Sequence, residues 1–353
     1  MITFYPGPSK IYKQVKDFLN EAFDSGILSM NHRSSGFMEL YRDCAQLIRN
    51  KLLLPEDYFV YFVSSATECW EIIAQSFIKE QSFHLYNGAF GEKWLDTNRK
   101  LGLKTIGYRF NINEVVHAEM LKDGLVCDLI ALTQNETSNG TQIRNDQLSE
   151  IRSSFPEKLI AVDATSSMGG VYLDFSIADI WYASVQKCFG LPSGLALLIC
   201  SPKAVTKGLE LGHNKHYNSF VNLHENMLKY QTTHTPNILD IVLLKKVLEC
   251  VPPIGNINQR IKMQSDEWYN FLRGFQSVKP LVTENQLRSD TVITVKGDPS
   301  FIKNIKEQSL KAGITLGNGY GTWKSDTFRI ANFPAIEEQE IRQLKTFLKN
   351  TLR

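Results

Sequence analysis

The feature that most constrains this chain is a repeated alternation of short apolar runs with stretches of helical spacing. The runs are 58–63 (YFVYFV), 82–87 (SFHLYN), 104–110 (KTIGYRF), 127–133 (CDLIALT), 159–163 (LIAVD), 180–185 (IWYASV) and 194–200 (GLALLIC). They are too short for helices and rich in β-branched and aromatic residues, so they read as buried strands. Between them, 92–101 and 147–155 carry apolar residues at helical period. Strands that alternate with helices, apolar along their whole length, predict an α/β fold with a mostly parallel sheet covered on both faces.

Two amphipathic helices precede the first run. Val15, Phe18, Leu19, Ala22 and Phe23 share one face, with Gly26 placed to end that helix. Phe37, Leu40, Tyr41, Cys44, Leu47 and Ile48 form the next stripe, broken by Pro55. Near residue 250 the pattern changes. CVPPIG reads as a hinge, a long helical stretch runs to about Phe275, and the remainder alternates VITVK, a helix around 301–310, TFRIAN and a terminal helix. At 353 residues the chain exceeds the usual size of a single core. The expectation is a large domain over 15–250 and a smaller α+β domain over 251–353 that also takes in 1–14.

Charge and cysteine usage narrow the function classes. Basic and acidic residues nearly cancel, 39 against 37, so neither a nucleic-acid nor a membrane-surface partner is expected. The six cysteines are scattered with no C-x-x-C pair, which predicts reduced thiols, no disulfide framework and no metal site. No apolar run approaches the length needed to span a bilayer, and MITFYPGPSK lacks the pattern of a signal peptide. A soluble, cytoplasmic protein is expected.

In open α/β sheets ligands bind beyond the carboxyl ends of the strands, so the residues following each run matter most. After 58–63 come Ser64, Ser65, Ala66, Thr67 and Glu68, either a plain helix cap or an anion-binding helix start. Gly88-Ala89-Phe90-Gly91 presents an aromatic ring for packing or for stacking. Gln134 to Gly140 is an unusually polar strand exit, either a surface turn or a ligand contact. Asp163 ends an apolar strand, where a carboxylate is costly unless it caps a helix or meets a cation. Gln186-Lys187 ends another, and a buried lysine has a depressed pKa and can attack an aldehyde. An anion site, an aromatic platform, an acid and a lysine together suit pyridoxal phosphate, whose pyridine nitrogen needs the acid.

With these residues placed, the chain resembles the class V aminotransferases among the fold-type I pyridoxal-phosphate enzymes, with the phosphoserine aminotransferase branch the nearest in pattern. The matching stretches are Phe4-Tyr5-Pro6-Gly7-Pro8, Asn31-His32-Arg33-Ser34, Asn135-Glu136-Thr137, Asp163 with Ser166-Ser167, Gln186-Lys187 and Thr235-Pro236. The resemblance implies that Lys187 is the Schiff-base lysine and proton carrier, and that Asp163 pairs with the pyridinium nitrogen. It implies that Phe90 stacks on the cofactor, Thr137 reaches the ring hydroxyl, and Ala66, Thr67 and Gln186 hold the phosphate. His234 and Thr235 would reach that phosphate from a second subunit, so a homodimer is implied. Arg329 would clamp the substrate α-carboxylate, with His32 and Arg33 on its side-chain phosphate. The partners implied are a small amino acid and keto acid: phosphoserine with 2-oxoglutarate, or else alanine or serine with glyoxylate or pyruvate.

The sequence departs from that branch in two places. Ser64 to Thr67 stand where a Gly-rich turn with an arginine is usual, and Thr322 and Trp323 where a His-Arg pair is usual, with Lys324 the nearest cation. Both departures imply a less cationic pocket. A cysteine desulfurase on the same fold is disfavoured because the loop 317–321 has no cysteine. A cofactor-free regulator on this fold is disfavoured by the presence of Lys187, Asp163 and Arg329.

Overall fold

The structure, a computed structural model, describes residues 1–352. Its main sheet has seven strands in the spatial order Phe59–Val63, Ala196–Cys200, Ile180–Ser184, Leu159–Asp163, Leu129–Thr133, Gln81–Tyr86 and Lys104–Arg109. Neighbours run parallel except that Ala196–Cys200 is antiparallel to both of its own. Four of the five interior strands are buried at every residue, and the fifth, Gln81–Tyr86, at all but its two ends, which is why they read as continuous apolar runs rather than alternating ones. Each fully buried Ile, Leu or Val there contributes about 1.5–3 kcal/mol by leaving water. The outermost strand, Lys104–Arg109, lies at the edge and is largely exposed.

Short turns join strand ends to helix starts on the side that matters for binding. Phe59–Val63 leads into helix Ala66–Phe77, and Gln81–Tyr86 into helix Ala89–Lys100. Upstream, helix Ser35–Leu52 is capped by the Ser34 hydroxyl, which accepts from the Phe37 N–H at 3.3 Å. Its apolar stripe packs on helix Ile238–Cys250, which ends just before the Pro252-Pro253 break.

A second, five-stranded sheet has the order Ile2–Phe4, Ile314–Asn318, Thr327–Ala331, Val292–Gly297 and Val278–Pro280. Its edge strand comes from the opposite end of the chain, with Ile2 paired to Ile314 in parallel register. Two apolar cores result. The long helix Ile254–Leu272 belongs to both, giving Ile254, Ile257 and Ile261 to the first and Trp268, Tyr269 and Leu272 to the second.

The polar stretch after Leu129–Thr133 is no surface turn. Residues 134–143 are buried throughout and fold into a small hairpin, Asn135–Glu136 against Thr141–Gln142. Its side chains find partners across the two sheets. The Ser289 hydroxyl donates to Asn135 Oδ1 at 2.6 Å, and the Thr291 hydroxyl donates to the Ser166 carbonyl at 2.6 Å. A polar strand exit can be dry when every group is satisfied.

Candidate active site

A cavity of about 250 Å³ opens at the carboxyl ends of the main strands, between the two sheets. Eight of the residues singled out in the sequence line it: Ala66, Thr67, Phe90, Thr137, Asp163, Gln186, Lys187 and Arg329. Tyr5 to Pro8, from the N-terminal loop, complete one wall. Gly7 passes so close that a Cβ there would stand 3.0 Å from Lys187 Cε, at a φ of +153° that L side chains rarely adopt. The loop thereby presses on the lysine side chain.

Lys187 follows strand Ile180–Ser184 and is buried. Its Nζ donates to Thr137 Oγ1 and Ser166 Oγ, each at 2.9 Å, and stands 5.2 Å from the centroid of the Phe90 ring. Burial pulls its pKa down to about 8, with Arg329 pulling the same way and Asp163 and Glu136 opposing. Near neutrality a useful fraction of this amine is unprotonated and nucleophilic.

Asp163 ends the central strand with its carboxyl also buried. Desolvation raises its proton affinity, while the Thr165 and Tyr182 hydrogen bonds and the Lys187 charge work against that rise. The Thr165 N–H donates to Asp163 Oδ1 at 2.9 Å. Tyr182 is the register partner of Asp163 on the adjacent strand, and its hydroxyl accepts from the Trp70 indole N–H at 2.7 Å. That acceptance leaves the Tyr182 hydrogen for the carboxylate.

Phe90 is held through its backbone. Its N–H and that of Gly91 donate to Glu136 Oε2 at 3.1 Å each, and the Ser138 N–H donates to Oε1 at 2.9 Å. A Cβ on Gly88 would lie 2.3 Å from Glu136 Cγ, so the turn admits glycine alone. Arg329 donates from Nε to the Asn318 carbonyl and from Nη1 to the Thr137 carbonyl, both at 2.7 Å. Tyr320 stacks on Phe90 at 5.3 Å and 28° and lies 5.4 Å from the Arg329 guanidinium carbon.

The helix start at 64–68 does two things. Ser65 caps it, accepting from the Glu68 N–H at 3.0 Å, while Glu68 takes the Ser64 N–H and hydroxyl at 2.7 Å each. Ser65, Ala66 and Thr67 also line the cavity. The Ala66 N–H donates to Ser184 Oγ at 2.8 Å, so Thr67 and Gln186 are left as the donors on that wall.

The remaining sequence-selected residues lie outside this cavity. The Arg33 guanidinium donates to Asn226 Oδ1 and Gln231 Oε1 at 2.7 Å each and to the Thr233 carbonyl at 3.2 Å. Burial lowers the His32 pKa, and the nearby charges of Arg33 and His234 lower it further. The His234 ring stacks flat on exposed Tyr217 at 4.1 Å, and Thr235 lines a neighbouring cleft with Ser64 and Glu68. These four residues therefore form a separate surface cluster. The pattern reading gave no role to Tyr182, Trp70 or Tyr320, and quoted Ser166 only as part of a matching stretch. Tyr182 carried a signal, standing in the same apolar strand as the run that delivers Lys187.

The fold and this constellation are those of a fold-type I pyridoxal-phosphate aminotransferase. The chain belongs to the class V aminotransferases: that family's pattern matches residues 4–322. Phosphoserine aminotransferases of Rhodococcus opacus and Corynebacterium glutamicum are each 27% identical to it, over 96% of this chain and 91% of theirs. A phosphoserine aminotransferase structure from Cytophaga hutchinsonii superposes with a TM-score of 0.94 at 30% identity, covering 100% of this chain and 99% of that one. An alanine–glyoxylate aminotransferase from Nostoc shares the fold, with a TM-score of 0.84 at 22% identity over 100% of this chain and 95% of its own. No helix among the described residues is long and apolar enough to cross a membrane. Of the six cysteines, all free, only Cys250 is exposed.

Proposed function

We propose that this aminotransferase moves the amino group of phosphoserine to 2-oxoglutarate, with pyridoxal phosphate held in the cavity around Lys187. The observation that carries the reading is Lys187 itself, a buried amine with a lowered pKa, facing Phe90 and sharing its cavity with Asp163 and Arg329. The residues present fit the cofactor. The Thr165 hydroxyl is buried in the cavity wall without a protein partner, and the lysine amine is bonded only to hydroxyls. Pyridoxal phosphate supplies an aldehyde for the lysine and an electron sink for the substrate carbanion.

The chain's own groups then divide the work. Lys187 Nζ removes the substrate α-proton and returns it, as an amine of pKa about 8 can do near neutral pH. Asp163, whose carboxyl the Thr165 N–H and the Tyr182 hydroxyl hold in place, would pair with the protonated pyridine nitrogen. Phe90 would pack against the cofactor ring, and Thr67 with Gln186 would hold its phosphate. Arg329 takes the α-carboxylate, with Thr137 and Asn318 fixing the guanidinium. A homodimer is part of the proposal, since the His32, Arg33, His234 and Thr235 cluster lines no part of its own cavity and would serve a partner's. Reduced thiols suit a cytoplasmic setting.

The named relatives support phosphoserine. The second reading, alanine or serine with glyoxylate or pyruvate, is favoured by Thr322 and Trp323, which bring no charge to the cavity. A single-turnover absorbance titration of the cofactor-loaded protein with phosphoserine, serine, alanine and glutamate separates them. Conversion by phosphoserine at low concentration supports the first reading, and conversion by alanine or serine without phosphoserine supports the second. No conversion by any amino acid refutes both.

A further inference from the structure

The rim of the cavity carries a cation that none of these roles uses. Lys93 sits at the start of the second turn of helix Ala89–Lys100, close beyond Phe90. Its Nζ donates to the Tyr320 hydroxyl at 2.5 Å and stands 5.0 Å from the Tyr320 ring and 5.5 Å from the Phe90 ring. Both rings line the cavity. Glu92, the nearest acid in the chain, turns to Arg109 at 3.8 Å. Among the described residues Lys93 therefore has aromatic and phenolic neighbours but no carboxylate.

Arg329 faces the same ring, with its guanidinium carbon 5.4 Å from the Tyr320 centroid, and its named hydrogen bonds go only to carbonyls. One aromatic ring thus carries two cations without an acid between them. An exposed lysine normally reaches for water or a surface acid, and holding one over a cavity mouth costs side-chain entropy. A bound dianion would offset that cost. Lys324 does not line the cavity and lies within electrostatic reach of Lys306.

We infer that Lys93, presented across Tyr320, is a specificity-determining residue that binds the distal carboxylate or phosphate of a dianionic amino acid or keto acid. The inference rests on the amino-transfer reading of this cavity and names the substrate class for it. The Tyr320 oxygen accepts from Lys93, so its own hydrogen is available to the same anion. The distal group meets an ammonium and a phenol while Arg329 holds the α-carboxylate. Lys93 thereby replaces charge that Thr322 and Trp323 do not provide.

The test uses the protein loaded with pyridoxal phosphate and two unreactive probes, glutarate and butyrate. Their dissociation constants are read from the change they cause in the cofactor's absorbance. Glutarate should bind wild type more tightly than butyrate. In Lys93→Met, which keeps the apolar stem, glutarate should weaken about tenfold or more while butyrate stays within about twofold. Lys93→Arg should restore much of the difference. Unchanged glutarate binding overturns the inference. So does equal weakening of both probes, which would report a displaced Tyr320 loop. The amino-transfer reading fails on a different observation, wild-type protein whose cofactor no amino acid converts.

Discussion

Glu136 offers the sharpest test of how the cavity is held together. It is 1% exposed and accepts three backbone N–H groups, those of Phe90, Gly91 and Ser138. Burial raises its pKa and Asp163 adds to the rise, while the Ser138 and Gly91 hydrogen bonds resist it. In Glu136→Ala, each charge-assisted bond removed costs about 1.5–3 kcal/mol, and the Gly91 and Ser138 donors have no water to turn to. Relief of the buried charge returns several kcal/mol, leaving a net loss of about 2–4 kcal/mol. In Glu136→Gln, one amide oxygen can keep the Phe90 and Gly91 donors, so only the Ser138 contact fails and the cost is about 1–2 kcal/mol. Urea denaturation followed together by tryptophan fluorescence and circular dichroism gives the stabilities, with coincident transitions required for the comparison. Cofactor affinity should fall in the same order, because the Phe90 backbone is no longer pinned. An alanine variant as stable as wild type would refute the reasoning, as would a glutamine variant less stable than the alanine one.

Tyr182→Phe removes a donor to Asp163 and strands the buried Trp70 indole N–H, so stability should drop by about 1–2 kcal/mol. The pH titration of the bound cofactor's absorbance should also move, and an unmoved titration would count against the Tyr182 role. Lys187 must lose its proton before attacking an aldehyde, and its pKa lies at about 8. Capture of pyridoxal phosphate by cofactor-free protein should therefore accelerate as pH rises through that value and level off above it, measured by stopped-flow absorbance. A flat profile there would place the amine's pKa elsewhere. If the proposed homodimer shares its sites, mixing inactive Lys187→Ala with inactive Arg33→Ala protein should restore about a quarter of wild-type activity, since half the dimers would be mixed and each would have one intact site. No recovery after verified subunit exchange would remove Arg33 from a shared site.

Much of this molecule was legible from pattern because its physics is local. Runs such as LIAVD and GLALLIC are strands because both faces are buried, and a sheet buried on both faces leaves no other reading. Lys187 and Asp163 were legible because each breaks an apolar rule at a strand end. What escaped was set by partners distant in the chain. The polarity of 134–140 reads as a turn until Ser289 and Thr291, at the approach to strand Val292–Gly297, meet the Asn135 side chain. Tyr182 looks like any aromatic in a buried strand until Asp163 is its neighbour in register. Tyr320 gains meaning only when its loop folds over Phe90. His32 and Arg33 were legible as a pair, but their separation from the cavity depends on where the loop 226–235 packs.

The edge strand Ile2–Phe4 has a consequence for how the chain is made. It is synthesised long before its partner, Ile314–Asn318. During synthesis the main sheet can close while these first residues wait unpaired. The loop Tyr5–Pro8, which forms the wall beside Lys187, waits with them. The cavity around Lys187 therefore cannot be finished until residues 314–318 have emerged, and a ribosome that stalls before residue 314 leaves a folded sheet around an open, incomplete site.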